Sequence, residues 1–175
     1  MIRLNVGCGG MIMPDYINID PSPWDGCKAD VIADMNALPF DAGTVDEILT
    51  YHVIEHVFRW DAVRALEHWH ALLKPGGRLV IETPRRKAVC FGYLFLPWLR
   101  RVSDHGLVFS DGFYGDVKSQ DELLVHKYLW EAIELVRELR WLGFVNVRWT
   151  PFTKTHIPLR DMRVTAEKSK EADDE

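Results

Sequence analysis

The chain has 175 residues, 47% of them hydrophobic and 27% charged, a balance that suits one globular domain with a proper core. Its 21 Lys and Arg against 26 Asp and Glu leave a net charge of -5, which argues against a general nucleic-acid binder. Only Arg85-Arg86-Lys87 and Arg100-Arg101 are densely basic. Cys8, Cys27 and Cys90 form an odd set with no paired spacing. They read as reduced thiols of a cytoplasmic protein, not as a disulfide framework or zinc knuckle. No signal peptide precedes the first strand-like segment. The most apolar stretch, Ala88 to Leu99, is too short to span a bilayer and contains Pro97.

Short apolar runs alternate with helix-length amphipathic segments. Strands are expected at Leu4–Val6, Tyr16–Ile19, Asp30–Ala33, Val45–Thr50 and Arg78–Glu82. A helix is expected over Asp61–Leu73, with Val63, Leu66, Trp69 and Leu73 on one face, Asp61 as N-cap and Pro75-Gly76 ending it. A second helix spans Leu129–Leu142, with Ile133, Val136 and Leu139 on one side and Gly143 as its stop. Phe144–Trp149 and Met162–Ala166 close the chain as strands. The charged residues Glu167–Glu175 read as a frayed tail, with 169–175 outside the domain. Such alternation predicts a doubly wound α/β fold, a mostly parallel sheet with helices on both faces. Ligands of such sheets bind beyond the carboxyl ends of the strands.

Four features fall at those ends. Gly7-Cys8-Gly9-Gly10 follows the first strand, and glycines let backbone approach a ligand closely. Asp20 ends the second strand, where a carboxylate can accept hydrogen bonds from both hydroxyls of a ribose. A plain turn-initiating Asp before Pro21 is the competing reading. Asp34 follows the third strand and can take an adenine amino group, with Met35 and Leu38 as apolar faces. Its competing role is to cap a local turn. The fourth strand runs into Tyr51-His52, beside the expected reacting centre.

The run of a GxG-type turn, an acid ending strand two, Asp34-x-x-x-Leu38-Pro39-Phe40, a Val45-Asp46-x-Ile48 strand and Leu73-Lys74-Pro75-Gly76-Gly77 resembles the class I S-adenosylmethionine (SAM)-dependent methyltransferases. It is most similar to their type 11 small-molecule branch. The resemblance implies a seven-stranded Rossmann-like sheet with its last strand antiparallel, and SAM as cofactor. It places Gly7 and Gly9 at the methionine and ribose, Asp20 at the ribose, and Asp34 with Met35 at the adenine. Asn5, Cys8, Leu38, Tyr51 and His52 complete the expected cofactor set. The sequence departs from the family at Asn5, where an acid is usual, and in the segment between Gly10 and Tyr16, which leaves little room for a helix. No counterpart is expected here for the helices that usually precede strand one and cover SAM. A nicotinamide enzyme is the alternative, but its G-x-G-x-x-G fingerprint lacks the third glycine here. A non-catalytic SAM-fold subunit that activates a partner is another.

For the acceptor, the resemblance suggests a small polar molecule, a sugar or metabolite hydroxyl. His52 is the candidate general base and His126 a lesser one. Tyr51-His52-Val53-Ile54-Glu55-His56 would place His52 with Glu55 and His56 on one helix face. It looks like the metal-binding E-x-x-E-H stretch of the ubiquinone-pathway O-methyltransferases, yet His52 replaces the first Glu. No metal is expected, with His52, Glu55 and His56 as the set to test. Residues 84–128 form a long insertion expected to act as a lid or substrate loop. Within it, Ala88–Arg101 reads as a helix with core aromatics, and Phe113, Tyr114 and His126 as substrate contacts. His105 is a weaker candidate. The tryptophans read as core or interface, and a homo-oligomer or partner subunit could complete the cover.

Overall fold

The computed structural model describes residues 1–22, 27–95, 112–116, 121–151, 153 and 159–170. Strands β1 (Arg3–Val6), β2 (Ile17–Asp20), β3 (Val31–Ile32), β4 (Val45–Tyr51), β5 (Leu73–Pro84), β6 (Phe144–Thr150) and β7 (Asp161–Lys168) form one sheet. Its order is β3-β2-β1-β4-β5-β7-β6. The first five strands pair in parallel, and β7 runs antiparallel to both β5 and β6. The order reverses between β1 and β4, which is where a ligand crevice opens in such sheets. Helices α1 (Arg59–Leu72), α2 (Arg86–Phe95) and α3 (Ala132–Trp141) join the strands.

Register explains the core. Leu4 pairs with Ile48, Ile48 with Leu79, and Leu79 with Ala166, so one apolar row crosses four strands. On β5 the consecutive residues Leu79, Val80 and Ile81 are all fully buried. Successive side chains point to opposite faces, so both faces of the sheet are covered there.

Several elements differ from their expected bounds. Helix α1 begins at Arg59, after an extended Phe58 that makes no side-chain cap bond. Asp61 lies in the first turn, where its charge suits the helix dipole, and pairs with Arg64 at 3.1 Å. The buried stripe is Ala62, Ala65, Leu66, Trp69 and Leu72, while Val63 is only half-buried. Leu73 already belongs to β5, opposite Val45. The chain passes from helix directly into strand, aided by Gly76 at φ +78°. Helix α3 starts at Ala132, and Ile133 faces outward while Leu135, Val136 and Leu139 are buried. Gly143, at φ +89°, ends it as expected. Trp69 and Trp130 are core, whereas Trp60, Trp141 and Trp149 are exposed. Glu167 and Lys168 extend β7 by pairing with Arg78 and Phe144, so the strand reaches further than its charge suggested. Helix α2 buries Val89 and Gly92, not its aromatics, since Phe91, Tyr93 and Phe95 are exposed. The rest of that expected helix, from residue 96, lies outside the described residues, as do His105 and the tail from 171. No described helix is long and apolar enough to cross a membrane, and the three cysteines are free.

Candidate active site

The carboxyl ends of β1, β2 and β3 open on a cavity of about 540 Å³. The turn after β1 forms one wall. Gly7 and Cys8 both donate their N–H groups to the Ile19 carbonyl, at 2.8 and 3.0 Å, which stitches the turn to β2. Gly7 sits at φ +70°, and a Cβ there would lie 2.2 Å from a Val53 methyl. Beside it, Gly9 at φ +48° and Gly10 would bring a Cβ near no other atom within 4 Å. Bare backbone of the turn therefore faces the cavity.

Asp20 also faces it. One carboxylate oxygen accepts from the Gly9 N–H at 2.8 Å, the other from the Ser22 N–H at 3.2 Å. Each oxygen keeps a lone pair for a ligand. Asp34 lines the cavity as well, and one of its oxygens accepts from the Asn36 N–H at 2.8 Å, so it caps a local turn too. Met35 and Ala33 add apolar surface, and Trp69 holds Met35 by donating to its carbonyl at 2.9 Å.

Comparison with known proteins gives the family and the fold. A family model described as a methyltransferase domain matches residues 4–157. The chain belongs to the class I SAM-dependent methyltransferases. S-adenosylmethionine is the cofactor of that family. No protein of curated function matches the chain in sequence. Solved structures share its fold. A SAM-dependent methyltransferase of Methanosarcina mazei is 17% identical with TM-score 0.65, covering 97% of this chain and 92% of that one. A chain of the Haloferax volcanii complex between the Trm112 methyltransferase activator and a methyltransferase is 14% identical with TM-score 0.64, covering 98% and 83%. The Burkholderia thailandensis 1,6-didemethyltoxoflavin-N1-methyltransferase, with 1,6-didemethyltoxoflavin and S-adenosylhomocysteine bound, is 17% identical with TM-score 0.59, covering 96% and 71%.

In this methyltransferase the other expected cofactor residues stand behind or beside the cavity. Asn5 is buried and donates to the Met11 carbonyl at 2.8 Å and to Asn18 at 2.9 Å. Asn18 in turn accepts from the Met13 N–H at 2.9 Å. These amides hold the short segment that takes the place of a first helix, work an ionised acid could not do as a donor. Cys8 is buried, and burial with the nearby Asp20 charge pushes its thiol up to about 11. Leu38 is a core residue whose N–H donates to His68 at 3.0 Å. Tyr51 lines a second hollow with Asn5, Cys8, Met11 and His52, on the other side of the glycine turn.

His52 lines both hollows. The segment 52–58 is a run of turns rather than a helix, and His52 itself is left-handed at φ +55°. Its ring is wedged between two fully buried carboxylates, Nδ1 at 2.9 Å from Glu55 and Nε2 at 3.4 Å from Asp161. Burial opposes the charge on the ring, but Glu55 and Asp161 outweigh it and raise the imidazole to about 9. Thr83 donates to the second Glu55 oxygen at 2.9 Å, and Arg160 binds both Asp161 oxygens at 2.6 and 2.9 Å. Alongside, Arg163 pairs with the buried Glu82.

Apart from Lys127, which precedes the last long helix, the cavity's far wall comes from residues that the sequence did not single out. Asp121 caps a short 3₁₀ turn, Glu122–Leu124, by accepting from the Leu123 N–H. Asp121, Leu123, Leu124 and Lys127 line the cavity, with Val53, His56 and Val57 beneath them. An Asp cap followed by paired leucines was the available signal. Phe113, Tyr114 and His126, the expected substrate contacts, are not part of that wall. Phe113 packs edge-on against Tyr93, and Tyr114 is exposed. Residues 114–116 instead pair with 124–126, through Gly115 opposite Val125 and the Asp116 N–H to the Leu124 carbonyl. This ribbon props the 3₁₀ turn over the cavity.

Proposed function

We propose that the protein transfers a methyl group from SAM to a small polar acceptor, a sugar or metabolite bearing a hydroxyl. The reading rests on one observation above others: Gly7, Gly9, Asp20, Asp34 and Met35 line a single cavity at the switch point of the sheet. Those residues fit the cofactor. The bare turn admits a close approach to the methionine and ribose, both Asp20 oxygens can accept from ribose hydroxyls, and Asp34 with Met35 suits an adenine amino group and ring face. Bound SAM supplies an electrophilic methyl on a sulfonium. Asn5, Cys8 and Leu38 act from behind, by shaping the turn and the adenine wall. A pyrophosphate has no helix N-terminus after β1 to rest on, since residues 10–16 form none; this favours SAM over a nicotinamide dinucleotide.

The chain's own contribution to the reaction is orientation and exclusion of water. His52 acts as a positioning residue rather than the base, because both ring nitrogens face carboxylates and its charge fixes the end of β4. Residues 121–127 act as the cover, from within this chain. Their apolar Leu123 and Leu124 oppose Val53 and Val57 across the acceptor side.

Asp20→Ala tests the cofactor assignment. Calorimetry with S-adenosylhomocysteine (SAH) should show at least about a tenfold loss of affinity, or about 1.4 kcal/mol, because charge-assisted hydrogen bonds disappear. Unchanged affinity would remove Asp20 from the ribose site.

A further inference from the structure

The fold brings together three potential metal ligands that come from two separate segments. Glu55 and His56 follow β4, and His126 precedes α3. One ligand atom from each lies within 4.8 Å of the others. This is not the contiguous His52, Glu55, His56 set, since His52 is taken up between Glu55 and Asp161.

The hydrogen bonds of the two imidazoles point to what they hold. His56 Nδ1 lies 3.3 Å from the Val125 carbonyl, and His126 Nδ1 lies 3.0 Å from the Gly112 carbonyl. A carbonyl can only accept, so each Nδ1 carries a proton, and in the neutral ring Nε2 keeps its lone pair. Metal-ligating histidines are fixed in this way, by donating the other ring N–H to a carbonyl. The rings meet edge-on, with centroids 4.8 Å apart. Two half-buried imidazoles and a fully buried carboxylate thus converge, the carboxylate also accepting from His52 and Thr83. One carboxylate and two imidazoles from separate segments make a ligand set that a divalent cation can share. His56 also lines the main cavity, so the cluster borders the acceptor side.

We infer that Glu55, His56 and His126 form a binding site for a divalent ion of the zinc class. Two imidazoles and one carboxylate select such borderline ions over magnesium or calcium, which prefer oxygen ligands alone. Zinc bonds of about 2.0–2.2 Å place tetrahedral ligands about 3.4 Å apart. Binding therefore draws the three side chains together by a little over 1 Å and leaves a fourth position toward the cavity. A hydroxyl at that position would have its proton made more acidic. That last role rests on the proposed methyl transfer; the site itself does not.

The test uses the full chain stripped of metal with a chelator. Zinc titrated by calorimetry should bind one to one with micromolar affinity or better, and His126→Ala should weaken it by at least tenfold. Cobalt(II) in place of zinc should give visible d–d absorption without the intense band that a cysteine ligand adds. His56→Gln, read by the same two measurements, serves if His126→Ala does not fold. No stoichiometric binding to the unaltered chain, undiminished binding in the variants, or a cysteine band would each overturn the site. SAH binding to the unaltered chain is measured alongside. Retained SAH binding without zinc binding refutes the metal site alone, whereas loss of both would also remove the functional reading.

Discussion

Gly7→Ala should abolish SAH binding and lower the stability of the fold by about 2–5 kcal/mol. Two costs combine. An alanine at φ +70° costs about 1–2 kcal/mol. Its Cβ would also sit 2.2 Å from one Val53 methyl and 3.0 Å from the other. Overpacking of this kind adds about 1–3 kcal/mol, because backbone on one side and the end of β4 on the other must move. Val53 and Gly7 both line the cavity, so that movement distorts the proposed cofactor cradle directly. The double variant Gly7→Ala, Val53→Ala separates the two costs. It removes both clashing methyls and should recover the steric part in urea unfolding, leaving the backbone part. A Gly7→Ala protein with unchanged stability and unchanged SAH affinity would show that the turn does not have this geometry.

Asp161→Ala should cost about 3–5 kcal/mol, since removing one partner of a buried charge network leaves the others uncompensated. Asp161 is fully buried between His52 and Arg160. Burial alone would raise its carboxyl, but the bonds from His52 and Arg160 prevail and hold it near 2. The sign follows from that depression. The stabilisation is complete above the unfolded value of 3.8 and is lost as pH falls toward 2. Acid unfolding between those values should therefore be shallower in Asp161→Ala than in the unaltered chain. Parallel acid curves would mean that Asp161 is not ionised between its two partners. The same variant bears on His52, whose left-handed backbone is held at the end of β4 by this network. SAH affinity should fall with it, although Asp161 is not on the cavity wall.

The sheet was readable in the sequence because its strands carry their own evidence. Leu4–Val6, Val45–Thr50 and Arg78–Glu82 are short segments centred on β-branched and aliphatic residues, and each lies within an observed strand. Element ends were less readable where tertiary pairing overrode local signals. Pro75-Gly76-Gly77 resembles a helix stop and loop, yet pairing of Leu73 with Val45 carries the strand through it. Glu167 and Lys168 look like a solvated tail, yet β6 and β5 claim them. The residues proposed to hold the cofactor could be read for the same reason as the sheet. Gly7, Gly9, Asp20 and Asp34 lie next to strand ends, so short-range spacing fixes them. The far wall of the cavity could not. His126 meets Glu55 and His56 across about 70 residues, and the 3₁₀ turn reaches the cavity only because 114–116 pairs with 124–126. No local periodicity encodes either contact. The aromatic residues Phe113 and Tyr114 drew attention by type, whereas the wall was built by Leu123 and Leu124.

The cavity at the ends of β1, β2 and β3 is proposed as the SAM site. Calorimetric titration of the full chain with SAH, and separately with NADH, tests it most directly. One-to-one SAH binding that weakens in Asp20→Ala, with no heat from NADH, is the expected result. Binding of NADH without SAH would contradict the claim.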